Sequence, residues 1–204
     1  MSEKKHRDRL VRWSKCRQDA LLLWEDECWF SRYAQPTANS WAEHTHPLRL
    51  AQRTPPVQAP DKALACYGAL RDDSRQVYLH FAWGQPDSQA TIDYLQRLLA
   101  LARSLHKHYL VIVWDNASWH LSRKVRAWLK SYKQQAKVTR DVRLLVCYLP
   151  SKSPWLNPIE PRWAHAKRQT LQPSPLPLLP HQLRQRLFQY FGTKPLLPCA
   201  TYHD

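Results

Sequence analysis

The feature that most constrains the fold is a continuous apolar run, Tyr109–Trp114, followed at once by Asp115 and Asn116. An apolar run of this length, rich in β-branched residues, is typical of a strand covered on both faces. Helical periodicity precedes and follows it: apolar residues recur every three or four positions after Ser88, and again between Ser122 and Gln135. The pattern predicts an α/β fold in which helices cover both faces of a sheet.

Four more strands are predicted around this run: Leu21–Trp24, Ala63–Leu70, Gln76–Trp83 and Val142–Leu149. The second and third of these are separated by a short polar turn, which indicates an antiparallel hairpin. A hairpin followed by strand-helix-strand crossovers predicts a mixed five-stranded sheet. Ribonucleases H and retroviral-type integrases have this order of elements.

The predicted organisation has three parts. Residues 1–18 form a basic helix or arm, residues 19–170 form the α/β domain, and residues 171–204 form a Pro-rich linker with a C-terminal helix at His181–Phe191. Another helix is predicted over Asn157–Arg168, with a start nearer Pro161 as the alternative, because that proline lacks a backbone N–H.

Charge and glycine content limit the classes of function that the chain can have. The chain has 31 Lys and Arg against 16 Asp and Glu, a formal net charge of +15, and only 3 glycines. Scattered glycines exclude the Gly-rich loops of P-loop and dinucleotide-binding proteins. The positive field favours a polyanion, above all nucleic acid, as the partner. Other acidic substrates, and a basic surface that only keeps the protein soluble, remain alternatives.

Cysteine usage and the N-terminus indicate the compartment. The five cysteines form no CxxC pair, and no apolar segment follows the basic N-terminus. These features favour reduced thiols in a cytoplasmic, nucleoid-associated protein without a membrane span.

Three carboxylates fall at predicted strand or helix ends: Asp26, Asp115 and Glu160. If they meet, their repulsion calls for divalent cations, and oxygen ligands suit Mg²⁺ or Mn²⁺. Two such ions would support in-line phosphoryl displacement. Each residue also has a structural alternative: Asn157 and Glu160 form a capping box, Asp115 begins a turn, and Asp26 is solvated with its neighbours Glu25 and Glu27.

The amino-acid sequences of three segments resemble motifs of a known family. Residues 149–163, LPSKSPWLNPIEPRW, closely resemble the third-carboxylate signature of mariner-like bacterial insertion-sequence transposases. Residues 114–120, WDNASWH, resemble the second-carboxylate motif of that family, and Leu21–Glu27 with Trp41 resembles the first. The resemblance implies a ribonuclease-H-like catalytic domain whose metal-binding Asp-Asp-Glu triad is Asp26, Asp115 and Glu160.

The resemblance also implies a function. Such a domain would use Mg²⁺ or Mn²⁺ to hydrolyse a phosphodiester at the element's end, and would then join the freed 3′-hydroxyl to target DNA. It would act as a homodimer on element ends and target. Its helix-turn-helix modules would lie in a separate subunit or in an upstream product joined by frameshifting. A DNA-binding relic without transposition activity and a general ribonuclease-H-like nuclease are the alternatives.

Further residues are candidates for contacts around this site. The candidate DNA-binding residues are Lys152, Lys167, Arg168, Arg123 and Lys124, and the candidate supporting residues are Asn116, His120 and Asn157. A structural histidine is the alternative for His120, and a solvated basic face is the alternative for Lys167. The long interval between Asp115 and Glu160 predicts an added basic surface loop near Lys130–Arg140.

Overall fold

The computed structural model describes residues 3–31, 63–150, 153–171 and 178–196. Their helices and strands are α1 (Glu3–Lys15), β1 (Ala20–Ser31), β2 (Ala63–Arg71), β3 (Val77–Trp83), α2 (Ser88–Ser104), β4 (Tyr109–Trp114), α3 (Arg123–Val138), β5 (Arg143–Tyr148), a 3₁₀ turn (Pro154–Leu156), α4 (Glu160–Thr170) and α5 (Pro180–Phe191). None of the helices in these ranges is both long and apolar enough to cross a membrane.

The five strands form one sheet in the order β3-β2-β1-β4-β5. The first three strands are antiparallel neighbours, whereas β4 and β5 run parallel to β1. The predicted mixed five-stranded sheet is therefore confirmed. The apolar run forms β4, an inner strand of the sheet, with the predicted bounds, and its residues from Leu110 to Trp114 are fully buried.

Two apolar cores cover the two faces of the sheet. On β1, Leu21 and Leu23 face the core under α2 and α3, while Leu22 and Trp24 face the core under α1, α4 and α5. The alternation follows from the pleat of a strand, in which successive side chains point to opposite faces. The carboxylates that follow on β1 therefore also alternate between the two sides.

The prediction that the first strand ends at Trp24 is wrong, because β1 continues to Ser31. Its pairing with β4 covers Ala20–Trp24, whereas its pairing with β2 runs from Leu23 to Ser31. The hairpin partner therefore carries β1 beyond the end of β4. Asp26 lies inside the strand rather than after it, on the part that overhangs its parallel neighbour.

The predicted basic loop near Lys130–Arg140 is also wrong, because α3 continues to Val138. The Ser122 side chain caps its N-terminus, and the buried stripe continues through Leu129 to Ala136. The helix ends in a left-handed turn at Arg140, which has a φ of 55°. The added length between the second and third carboxylates is thus an extended helix.

Candidate active site

Asp26 is held on the buried side of the β1 overhang. Its side chain is 8% exposed, and Oδ2 accepts a hydrogen bond from Trp163 Nε1 at 3.0 Å. Trp163 lies on α4, so this bond connects the strand to the helix that begins at Glu160. An indole N–H buried beside a carboxylate satisfies both groups and fixes the direction in which the carboxylate points.

A glycine makes room for this contact. Gly68 on β2 is the direct partner of Asp26 in the antiparallel register. A Cβ at position 68 would collide with the six-membered part of the Trp163 ring, and it would also lie 3.1 Å from Ile159 Cδ1. A glycine inside a strand often marks such a close approach. Gly68 therefore allows the α4 indole to reach Asp26.

Asp115 directly follows β4 and lies beside the overhang of β1. Trp24 pairs with Val113 in the parallel register, so two further residues bring Asp26 alongside Asp115 at this edge of the sheet. The Asp115 side chain is 52% exposed, and its Oδ1 accepts the Ala117 N–H at 2.9 Å and lies 3.0 Å from His120 Nδ1. The turn that was the structural alternative for Asp115 is present. It orients the carboxylate through Oδ1 and does not use the whole group.

Glu160 begins α4, and Asn157 fixes the loop before it. The capping box predicted as the alternative is wrong, because the residue at the N-cap is Ile159 and no side chain caps the helix. Asn157 is instead 2% exposed, and its Nδ2 donates to the Glu25 carbonyl at 2.8 Å. The amide thus ties the third-carboxylate loop to β1, the strand that carries the first carboxylate.

The three carboxylates line one cleft of about 320 Å³. The other lining residues are Asn116, Ala117, Leu149, Pro150, Ser153, Pro154 and Asn157. Asn116 supports the floor by donating from Nδ2 to the Leu149 carbonyl at 2.6 Å, which joins the ends of β4 and β5. The structure therefore brings together Asp26, Asp115 and Glu160, the three acids named by the family resemblance.

The carboxylates in the cleft crowd one another electrostatically. Burial, reinforced by the charges of Glu160, Glu27 and Asp115, raises the pKa of Asp26 to about 8. Burial and the nearby Asp115 also raise the pKa of Glu160, although Lys167 opposes that shift. Carboxylates held together at this cost form an all-oxygen donor set that a divalent cation would neutralise.

His120 connects Asp115 to a carboxylate on the other face of the sheet. Its buried ring places Nε2 2.9 Å from Glu27 Oε1 and stacks on Trp114 at a centroid distance of 4.2 Å. Burial alone would lower the pKa of His120, but Glu27 and Asp115 outweigh it and raise the pKa well above the ordinary value. The protonated ring thus lies between two carboxylates as their internal counter-charge.

The hydrogen bond between His120 and Asp115 also shifts the pKa of Asp115, in the opposite direction to that of His120. Burial alone would raise the pKa of Asp115, but the hydrogen bonds from His120 and the Ala117 N–H outweigh it and lower the pKa below the ordinary value. Asp115 is therefore ionised while its neighbour Asp26 tends to hold a proton.

Glu25, Glu27 and His120 form a second group whose donor atoms lie within 4.8 Å of one another. Glu25 is 1% exposed, its carboxylate has no hydrogen-bond partner among the described residues, and burial raises its pKa well above the ordinary value. His120 Nε2 lies 3.5 Å from Glu25 Oε2 and 2.9 Å from Glu27 Oε1, so the imidazole itself supplies this group with a counter-charge. We therefore assign it a structural role behind the cleft.

The predicted basic residues that the structure describes lie on two helices, and none of them lines the cleft. Lys167 and Arg168 are exposed on α4, with Lys167 Nζ 5.9 Å from the centre of the Phe30 ring. Arg123 and Lys124 are exposed at the start of α3. Lys152, Trp41 and most of the predicted Pro-rich linker lie outside the described residues.

Sequence reasoning missed three residues that organise the site: Gly68, Glu27 and the indole N–H of Trp163. The lone glycine within a predicted strand was a signal for close approach at Gly68. No comparable signal distinguished Glu27 from Glu25, since both point to the same face of β1 and only the position of His120 selects Glu27.

We expect Gly68→Ala to lower the free energy of unfolding by about 1–3 kcal/mol, because the added methyl overpacks against Trp163. Guanidinium unfolding at neutral pH measures this cost. In a Trp163→Leu background the smaller ring-free side chain should reduce the cost, as a double-mutant cycle would reveal. An equal cost in both backgrounds would contradict the role assigned to this contact.

We also expect His120→Gln to change how stability depends on pH. A raised pKa means that the stabilisation is complete below about pH 6.5, the ordinary histidine value, and is lost as pH rises through the folded-state pKa. Wild-type protein should therefore lose up to about 1.4 kcal/mol per pH unit above pH 6.5 that the variant does not lose. Urea unfolding from pH 6 to 9 measures both slopes.

His80→Gln is the matched control, because burial lowers the pKa of His80 to about 4. A histidine that is neutral in the folded state contributes no pH dependence above pH 6.5, so this variant should follow the wild type. Parallel curves for wild type and His120→Gln would show that the ring is not protonated between its carboxylates.

Comparison with known proteins agrees with this geometry. The family model described as DDE superfamily endonuclease matches residues 21–177. The Mos1 mariner paired-end complex with Mn has a TM-score of 0.60 at 17% identity, covering 95% of this chain and 55% of that chain. The Mos1 strand transfer complex has a TM-score of 0.55 at 16% identity, covering 94% and 53%. No curated protein matches.

At these identities the structural likeness establishes the fold, which is the predicted ribonuclease-H-like fold. The chain spans a little over half the length of the solved chains it resembles. The family model covers most of the chain, including all three carboxylates of the cleft. The chain therefore belongs to the DDE superfamily endonucleases.

Proposed function

We propose that this chain is the metal-dependent DNA endonuclease and strand-transfer domain of an insertion-sequence transposase. The observation that carries the proposal is the convergence of Asp26, Asp115 and Glu160 on one cleft of a protein with a net charge of +15. The names of the similar structures support it, since they describe Mos1 complexes with transposon ends, with Mn and with Mg.

The donor set fits a divalent cation. All three cleft acids offer oxygen ligands. Burial, reinforced by the charges of the neighbouring acids, raises the pKa of Asp26 and Glu160. When bound by these residues, Mg²⁺ or Mn²⁺ would supply charge neutralisation and nucleophile activation for in-line displacement at a phosphodiester.

Each acid is held by a different part of the chain. The Trp163 N–H holds Asp26 from α4, while His120 and the Ala117 N–H hold Asp115 after β4. Glu160 lies at the N-terminus of α4, where the helix dipole favours a negative charge. Residues fixed by packing in this way keep the reacting geometry without reorganisation during the reaction.

Hydrolysis and strand transfer would use the same cleft in succession. Both reactions displace an oxygen at phosphorus, first with water as nucleophile and then with the freed 3′-hydroxyl of the DNA end. The exposed ammonium of Lys167 lies on the same helix as Glu160 and would contact a phosphate near the reacting centre. The proposed partners are element ends and target DNA, a second copy of the chain, and a helix-turn-helix module that recognises the ends.

We expect Asp115→Asn or Glu160→Gln to abolish metal-dependent nicking of DNA while leaving the fold and DNA affinity intact. Each change removes one negative ligand and keeps the side-chain shape. A supercoiled-plasmid nicking assay with Mn²⁺ measures the loss, and metal-free DNA binding measures the affinity. Asp93→Asn, which removes a carboxylate from α2 outside the cleft, is the matched control.

Undiminished nicking by either cleft variant would overturn the assignment of these ligands. Salt-dependent DNA binding by wild-type protein that never cleaves with Mn²⁺, with or without element ends, would favour the DNA-binding relic instead.

Metal binding should stabilise the protein more as pH rises toward 8. The raised pKa of Asp26 favours its protonated folded form, so this contribution to stability is present below about pH 4 and is lost as pH rises to about 8. A cation that binds the ionised form would offset that loss. At 100-fold excess over Kd the gain is about 2.7 kcal/mol, or roughly 5–10 °C in Tm.

Thermal unfolding with and without Mn²⁺ between pH 6 and 8.5 measures this effect. The shift in Tm should grow with pH in wild-type protein and in Asp93→Asn, and it should be much smaller in Asp26→Asn. A shift of the same size in Asp26→Asn would place the cation elsewhere.

A further inference from the structure

A row of basic side chains runs along one flank of α3. Its members are separated by three or four positions, so they lie on one side of the helix. They are Arg123, Arg126, Lys130, Lys133 and Lys137, and all five are exposed. We call this set the α3 basic row.

The charge of the α3 basic row is not compensated within the described part of the chain. The helix contains no acidic residue, and none of the five side chains forms an ion pair with a described residue. Several other arginines are neutralised by a nearby aspartate, as in Arg17 with Asp19 and Arg71 with Asp73. An uncompensated row of cations therefore runs along the length of α3.

The α3 basic row leads into a hollow of about 550 Å³ at the end of the helix. Lys137 belongs to both, and Lys107, Arg140 and Arg143 add three more cations to the wall of the hollow. The acid there, Asp141, makes a two-point contact with Arg103 at 2.8 and 2.6 Å. The hollow thus extends the row with charges that the acid does not neutralise.

The hollow and the catalytic cleft lie at opposite ends of the sheet. Tyr109 at the start of β4 lines the hollow, whereas Asp115 just after its end lines the cleft. Six residue steps along a strand span roughly 20 Å. The 16 residues of α3 span about 24 Å, which matches about seven base pairs of a duplex.

We infer that the α3 basic row and the hollow at its end form a second DNA-binding surface, which holds the phosphate backbone of duplex DNA outside the catalytic cleft. The inference rests on the proposed function for the identity of the polyanion. A linear series of cations spaced over several base pairs suits a phosphodiester backbone, whereas a free phosphate ion would need the hollow alone.

The test is the salt dependence of duplex DNA binding in metal-free buffer, with the full chain. A triple variant, Lys130→Gln with Lys133→Gln and Lys137→Gln, should have a less steep dependence of log K on log salt. The magnitude of its negative slope should be smaller by about 2.7, at about 0.9 for each phosphate that the protein no longer neutralises. Between 50 and 200 mM salt the wild type should therefore lose about 40-fold more affinity than the triple variant.

A charge-matched control removes three cations from the other side of the sheet. Lys5, Arg9 and Arg12 are exposed on α1, which packs on the opposite face. Replacing these three with Gln should leave the slope close to that of the wild type. Equal slopes for the α3 triple variant and the wild type, or equal reductions in slope for both triple variants, would overturn the proposal.

Arg140→Gly gives a second test, in a variant whose weaker DNA binding could not be attributed to misfolding. Arg140 adopts a left-handed φ of 55°, a conformation in which glycine is less strained than arginine, so the variant should fold. We expect the magnitude of its negative slope of log K against log salt to decrease by about 0.9, equivalent to about 3.5-fold in affinity between 50 and 200 mM salt. His106→Gly makes the same backbone change at a φ of 53° in the same hollow and should have no such effect.

The readouts separate this inference from the proposed function. Wild-type cleavage with Mn²⁺ tests the cleft, and metal-free binding tests the α3 surface. Absent cleavage with an intact difference in slope would overturn the proposed function and support the surface as a DNA site. Displacement of duplex DNA by millimolar inorganic phosphate at constant ionic strength would overturn its assignment to a duplex backbone.

Discussion

The repulsion among carboxylates gathered at one edge of the sheet is the constraint on which the rest of the structure depends. Asp26, Asp115 and Glu160 line one cleft, with Glu27 close behind it. In isolation such acids would move apart or take up protons. The fold prevents the acids from moving apart by fixing each one to a different element. Burial, reinforced by the neighbouring charges, raises the pKa of Asp26 and so favours uptake of a proton.

The overhang of β1 beyond β4 explains how acids with different environments arise from one short segment. Successive side chains of a strand point to opposite faces, so Asp26 enters the cleft while Glu25 and Glu27 enter the core behind it. His120 then joins Glu27 to Asp115 around the end of β4. The protonated imidazole thus balances Glu27 and Asp115, whereas Asp26 and Glu160 form no ion pair with a described residue.

The fold was predictable where periodicity and burial decide it, as the matching bounds of β4 show. The length of β1 was not, because an acidic sequence does not favour a strand and only pairing with β2 extends it. The three cleft residues were predictable because they follow or begin predicted strands and helices and lie in three motifs that resemble those of a known family. The hydrogen bond from Trp163 to Asp26 was not, because it depends on a gap that Gly68 leaves on a third element.

Charge placement follows from the same constraint. Under the proposed function, an acidic cleft would repel the phosphate backbone that it acts on, and cations placed within it would neutralise the carboxylates instead of attracting DNA. Lys167 illustrates the compromise, since its charge opposes the rise that burial and Asp115 cause in the pKa of Glu160. Interactions across more than about 8–10 Å are strongly screened at physiological salt. The cations around the hollow lie at the opposite end of β4 from the cleft, roughly 20 Å away along the strand, so they would attract phosphate without quenching the acids. A duplex long enough to reach both would meet the cations at one place and the carboxylates at the other.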